Sequence, residues 1–90
     1  EEAVRVGMIY RTYSAESFAE DSWALARQLA QMPTRGLGLT KRALNKALHN
    51  DLEHQLEVEE QLQVNAGETA DYREGVAAFL EKRKPVFTGE

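Results

Sequence analysis

The chain has 90 residues, 42% hydrophobic and 29% charged, with a formal net charge of −4 and no cysteine. That balance describes a folding chain rather than a disordered one, and the acidic charge argues against nucleic acid, whose binding calls for a dominant basic surface. Disulfides and thiolate metal sites are excluded. No apolar run approaches the ~20 residues needed to cross a bilayer and Glu1-Glu2 is unlike a signal peptide, so no membrane partner is expected and a cytoplasmic location is permitted.

Glu1 to Gly7 reads as the last turns of a helix closing on a glycine cap, with its start lying upstream. Met8 to Tyr13, with aromatic and β-branched residues, predicts one short strand whose pairing partner is missing. From Ser14, a good N-cap, the period changes. Ala15, Phe18, Ser22, Leu25, Ala26 and Leu29 make an apolar stripe down a helix that ends at Met32-Pro33.

Pro33 suits the first turn of the next helix, whose stripe is Leu37, Thr40, Ala43, Leu44, Ala47 and Leu48, with Lys41, Arg42 and Lys46 outward. Asn50, with Glu53 three positions on, predicts a cap for a third helix running to about Asn65 and stopping at Gly67. Leu52, Leu56, Val58 and Leu62 supply its expected buried side, and Glu53, Glu57, Glu59 and Glu60 face water. No Lys or Arg occurs between Lys46 and Arg73, so this helix presents an acidic surface. Asp71, with Glu74 three residues on, predicts the last cap, before a stripe of Tyr72, Val76, Phe79 and Leu80 and a stop at Pro85. The fold class expected is mainly α, about four helices after one short strand.

Few residues suggest chemistry. His49 and His54 are five apart, off the i, i+4 spacing that puts two imidazoles on one helical face, so no metal site is assigned. Gly36-Leu37-Gly38 lacks the third glycine and the preceding strand of a dinucleotide motif, and reads as close helix packing. Glu57, Glu59 and Glu60 have nothing apolar predicted around them to raise a pKa, and Ser14, Ser17 and Ser22 fit no nucleophile pattern; no catalytic residue is assigned. The remaining candidate is Lys82-Arg83-Lys84 beside Phe79. Continued as helix, the chain sets Phe79 and Lys82 at i, i+3, so a flat ring for a base and an ammonium group for a phosphate project together. The alternative makes Phe79 core and the cations partners of the helix dipole.

The stretch Tyr72-Arg73-Glu74-Gly75-Val76-Ala77-Ala78-Phe79-Leu80-Glu81-Lys82-Arg83-Lys84-Pro85-Val86-Phe87 resembles the C-terminal signature of the enoyl-CoA hydratase/isomerase (crotonase) superfamily. Glu2 to Ile9 resembles the segment leading out of that family's catalytic core, and Pro33 to Asn45, with Leu39-Thr40-Lys41, its following helix pair. A narrower similarity, to the phenylacetate-degradation branch, rests on Pro33-Thr34-Arg35-Gly36-Leu37-Gly38-Leu39, on Ala70 to Val76 and on Phe87-Thr88-Gly89.

The resemblance implies that residues 1–13 close a ββα catalytic core and that residues 14–90 form a C-terminal helical assembly domain. It implies an oxyanion hole for a CoA thioester enolate in that core, upstream of Glu1, so this segment alone is expected to be inactive. It further implies a trimer or hexamer, a coenzyme A thioester as substrate, and contact of Phe79 and Lys82 with the nucleotide end of that substrate. The competing expectation is a non-catalytic interaction module that uses the acidic helix 51–63 against a basic partner.

Overall fold

Gly7 adopts φ +74°, the left-handed conformation a glycine reaches without steric cost. It lets Gly7 N–H reach Val4 O at 3.0 Å and Met8 N–H reach Ala3 O at 2.8 Å, the two bonds of a Schellman closure on α1 (Glu2–Arg5). The opening helix end read from the sequence is therefore present in this computed structural model, which describes all 90 residues. Four more helices follow: α2 (Phe18–Ala30), α3 (Thr34–Ala47), α4 (Leu52–Gly67) and α5 (Ala70–Glu81).

Met8 to Tyr13 forms no strand, correcting the expectation there. A strand needs a neighbour to complete its ladder, and the chain offers none. The amides of Met8 and Ile9 instead turn back to Ala3 O.

Three helix starts also differ from the sequence reading. Ser14 does not cap α2; its Oγ accepts from Ser17 N–H at 3.2 Å, making a separate turn, and α2 begins at Phe18. Asp51 rather than Asn50 caps α4, its Oδ1 accepting from His54 N–H at 2.9 Å. Asn50 instead donates to Gln55 Oε1, whose Nε2 donates to Ala43 O at 3.2 Å and ties α4 to α3. Thr69 rather than Asp71 caps α5, accepting from Tyr72 N–H at 3.0 Å while its hydroxyl donates to Ala66 O at 2.7 Å. That hydroxyl thus joins the end of α4 to the start of α5.

The main helix packing is α3 against α4 and, more sparingly, α4 against α5. Val58 and Leu62 of α4 are half-buried, whereas Leu52 and Leu56, expected inside, are exposed. One hundred degrees per residue puts Gln55, Val58 and Leu62 on one side of the helix, and Leu52 and Leu56 lie off it.

The result has very little interior. Only Ala78, Thr69 and Asp71 are buried. The Cα radius of gyration is 16.7 Å, against about 12 Å for a compact domain of this length. The accessible surface is 7690 Å², against about 5300 Å² for a compact monomer of this mass. Trp23, Phe18, Leu44 and Leu48 are among the large apolar side chains left open. So much apolar surface is uncommon on a free-standing monomer and marks faces that are built to be covered.

Candidate functional site

The last helix has two unlike faces. Asp71, Glu74, Gly75 and Ala78 fall on one side at steps of three and four, and the C-terminal tail lies along it. The Asp71 carboxylate, 3% exposed, accepts Thr88 N–H at 2.7 Å on Oδ1 and Gly89 N–H at 2.9 Å on Oδ2, while Asp71 N–H donates to Glu90 O. Glu74 Oε1 accepts Val86 N–H at 2.8 Å. The Phe87 ring lies over Gly75, at ordinary van der Waals distance (3.7 Å) from where a Cβ would stand. The tail closes against the start of α3, where Gly89, at φ +83°, faces Thr34.

The opposite face carries Tyr72, Val76, Phe79 and Leu80, and all four are exposed. Phe79, at 82% exposure, is not a core residue of this chain. With Pro33 and Phe87 these side chains border an open groove of about 410 Å³.

At its end α5 closes in a second Schellman pattern: Arg83 N–H reaches Ala78 O at 3.0 Å and Lys82 N–H reaches Phe79 O at 3.3 Å. The left-handed residue is Lys82, at φ 54° and ψ 39°, the one non-glycine with positive φ. An L-residue there gives up about 1–2 kcal/mol relative to a right-handed conformation. Lys82 therefore does not continue the helix, and the helical i, i+3 relation expected between it and Phe79 is replaced by a turn. The aromatic ring stands on the last helical turn, and the ammonium group leaves from the turn beyond it with no hydrogen-bond or ion-pair partner in the chain.

Arg83 fixes that turn. Its Nη1 and Nη2 donate to Glu74 Oε1 and Oε2 at 2.6 and 2.9 Å, Nε donates to Glu81 Oε2 at 2.6 Å, and Nη1 also reaches Lys84 O. Two parallel bonds from a planar guanidinium to a carboxylate define orientation as well as distance. The guanidinium first, then Val86 N–H, lowers the Glu74 carboxyl from its ordinary value to about 2, and the same pairing raises Arg83. Sequence reasoning assigned Asp71 and Glu74 to a capping box and so missed their grip on the tail. The available signal was two acids one turn apart, an arginine just past the helix, and a Gly-containing end.

Elsewhere the sequence candidates do not converge. His54 Nδ1 lies 2.7 Å from Asp51 Oδ1, and His49 occupies the α3–α4 turn. A Cβ added at Gly36 or Gly38 would meet nothing within 4 Å, so the close packing expected at these glycines is absent within this chain. No helix is long and apolar enough to cross a membrane.

The sequence pattern of the enoyl-CoA hydratase/isomerase family matches residues 1–90. The chain belongs to the enoyl-CoA hydratase/isomerase family. It is 51% identical over 90 residues to 1,2-epoxyphenylacetyl-CoA isomerase of Escherichia coli, covering 100% of this chain and 34% of that protein. It is 44% identical over 89 residues to a probable enoyl-CoA hydratase of Rhodobacter capsulatus, covering 99% of this chain and 35% of the relative. A crystal structure of an enoyl-CoA hydratase from Geobacillus kaustophilus superposes with a TM-score of 0.89 at 38% identity, over 99% of this chain and 35% of that one. The crotonase-type resemblance holds in sequence and in fold, and the chain spans about a third of the length of these enoyl-CoA hydratase/isomerase relatives.

Proposed function

We propose that this segment is the C-terminal helical part of an enzyme that hydrates or isomerises an unsaturated or epoxidised acyl-CoA. Its role there is subunit assembly and closure of the acyl-CoA site. The observation that carries this reading is the 51% identity over all 90 residues to an acyl-CoA isomerase of which this segment matches 34%. The open apolar faces of α2 and α5 support it, because a surface so far above that of a compact monomer fits a piece normally covered by a catalytic core and by neighbouring copies in a trimer or hexamer.

Phe79 and Lys82 are the proposed contacts to the nucleotide end of the coenzyme A thioester. The ring is open and the ammonium group unpartnered, which suits an adenine face and a phosphate oxygen. No resident cofactor is assigned, and the catalytic groups of the proposed enzyme belong to the core rather than to these 90 residues. The identity favours an aromatic substrate of phenylacetate catabolism, and a fatty acid enoyl-CoA is the competing substrate. A cytoplasmic location goes with this reading, because acyl-CoA thioesters are intracellular metabolites.

The test is the full-length gene product, supplied with enoyl-CoA and epoxyacyl-CoA thioesters and weighed in solution. Turnover by a trimer or hexamer is expected. A soundly folded monomer inert toward every acyl-CoA would overturn the proposal.

A further inference from the structure

We infer that Arg83, locked between Glu74 and Glu81, is a positioning residue that holds Lys82 in its left-handed turn and so sets where the ammonium group meets a phosphate. The inference rests on the reading of Lys82 as a coenzyme A contact.

Three observations carry it. Glycine is the ordinary residue at the left-handed position of a Schellman closure, as at Gly7, yet the second closure places an unpartnered lysine there. Backbone strain of this kind persists only where the surroundings over-determine it, and such strain gathers at functional sites. The surroundings of Lys82 do over-determine it. Glu81 before it is bound through its carboxylate to Arg83 Nε, and Arg83 after it is bound through its main chain to Ala78 O and through both terminal nitrogens to Glu74. Glu74 stands two turns earlier on α5 and is itself held by Val86 N–H. The turn is therefore pinned to the body of the helix, and Lys82 is a free cationic side chain between two anchored neighbours. A lysine retained only for the helix dipole needs no fixed direction, because a point charge near the last carbonyls suffices.

The experiment measures dissociation constants of free coenzyme A and of 4′-phosphopantetheine, which lacks the adenosine phosphates, for the full-length protein by calorimetry. The proteins are wild type, Lys82→Met, Arg83→Met and the double variant. Each single change is expected to weaken coenzyme A roughly fivefold, the scale of one ordinary solvent-exposed hydrogen bond, and to leave phosphopantetheine unchanged. The double variant is expected to bind no more weakly than either single one, because both changes remove the same interaction.

If Lys82→Met weakens coenzyme A and Arg83→Met does not, whatever Arg83→Met does to Tm, positioning by Arg83 is overturned and Arg83 is structural only. If Lys82→Met leaves coenzyme A binding unchanged, the contact assigned to Lys82 fails instead, and the inference fails with it. Should Arg83→Met not fold, Arg83→Lys keeps the charge without the two-pronged geometry and carries the same expectation.

Discussion

Glu74 and Arg83, nine residues apart, meet face to face through two parallel bonds of 2.6 and 2.9 Å, and so join the middle of α5 to the turn beyond its end. The same Glu74 oxygen that accepts Arg83 Nη1 also accepts Val86 N–H, so one carboxylate organises both the turn and the start of the tail.

This carboxylate should make the tail acid-sensitive. Its pKa is depressed in the folded chain, from 4.5 to about 2. The stabilisation is therefore fully present above the ordinary value and is lost as pH falls from about 4.5 through about 2. Amide exchange at Val86, followed by NMR, should lose protection across that window. Glu74→Gln should abolish the pH dependence, and a Val86 amide indifferent to acid would count against the arrangement.

Asp71→Ala removes the acceptor for both Thr88 and Gly89 N–H. Bonds to a charged group are worth about 1.5–3 kcal/mol, so the variant should free Thr88 and Gly89 at a loss of roughly that size, while Glu74 keeps Val86 in place. Thr88 and Gly89 should then exchange at the rate of an open chain. Protection retained at both amides would show that something other than Asp71 holds the tail.

Thr69→Ala removes the cap of α5 and the hydroxyl bond to Ala66 O, and a loss of about 1 kcal/mol is expected. Thr69→Ser should restore most of it. Equal stability of Thr69→Ala and wild type, by denaturant titration of the full-length protein, would move the cap elsewhere.

Gly36→Ala and Gly38→Ala separate the chain from its surroundings. Within these 90 residues neither Cβ meets anything within 4 Å, so in the isolated segment each change should raise α3 helicity by about 0.5–1 kcal/mol. If the covering body in the full-length protein packs on this face, the same substitutions become destabilising there. Identical stabilisation in both settings would show that face to be open to solvent in the full-length protein as well.

The order and type of the helices were legible because periodicity and punctuation agree locally: the glycine closure at Gly7, the proline before α3 and the apolar stripes all lie within a few residues of the features they create. Helix starts were harder, since Ser14, Asn50 and Asp71 are all competent caps, and the choice falls to which neighbour needs its N–H satisfied. Asp71 goes to Thr88 and Gly89, 17 and 18 residues away, a pairing no local pattern announces. Met8 to Tyr13 has strand composition, but a strand is a property of a pair. Phe79 and Lys82 were legible as a candidate pair; the left-handed turn separating them was not, because the expected residue there is glycine and the sequence has lysine.

The most direct test of the claim that these faces are built to be covered is the unfolding of the isolated 90-residue chain, followed by calorimetry and small-angle scattering. The account predicts no sharp heat-absorption peak, a radius of gyration well above the roughly 12 Å of a compact domain of this length, and helicity that rises when the chain is supplied with the remainder of the full-length protein. A single cooperative transition from a compact monomer would contradict it, and would mean that the segment completes its own core.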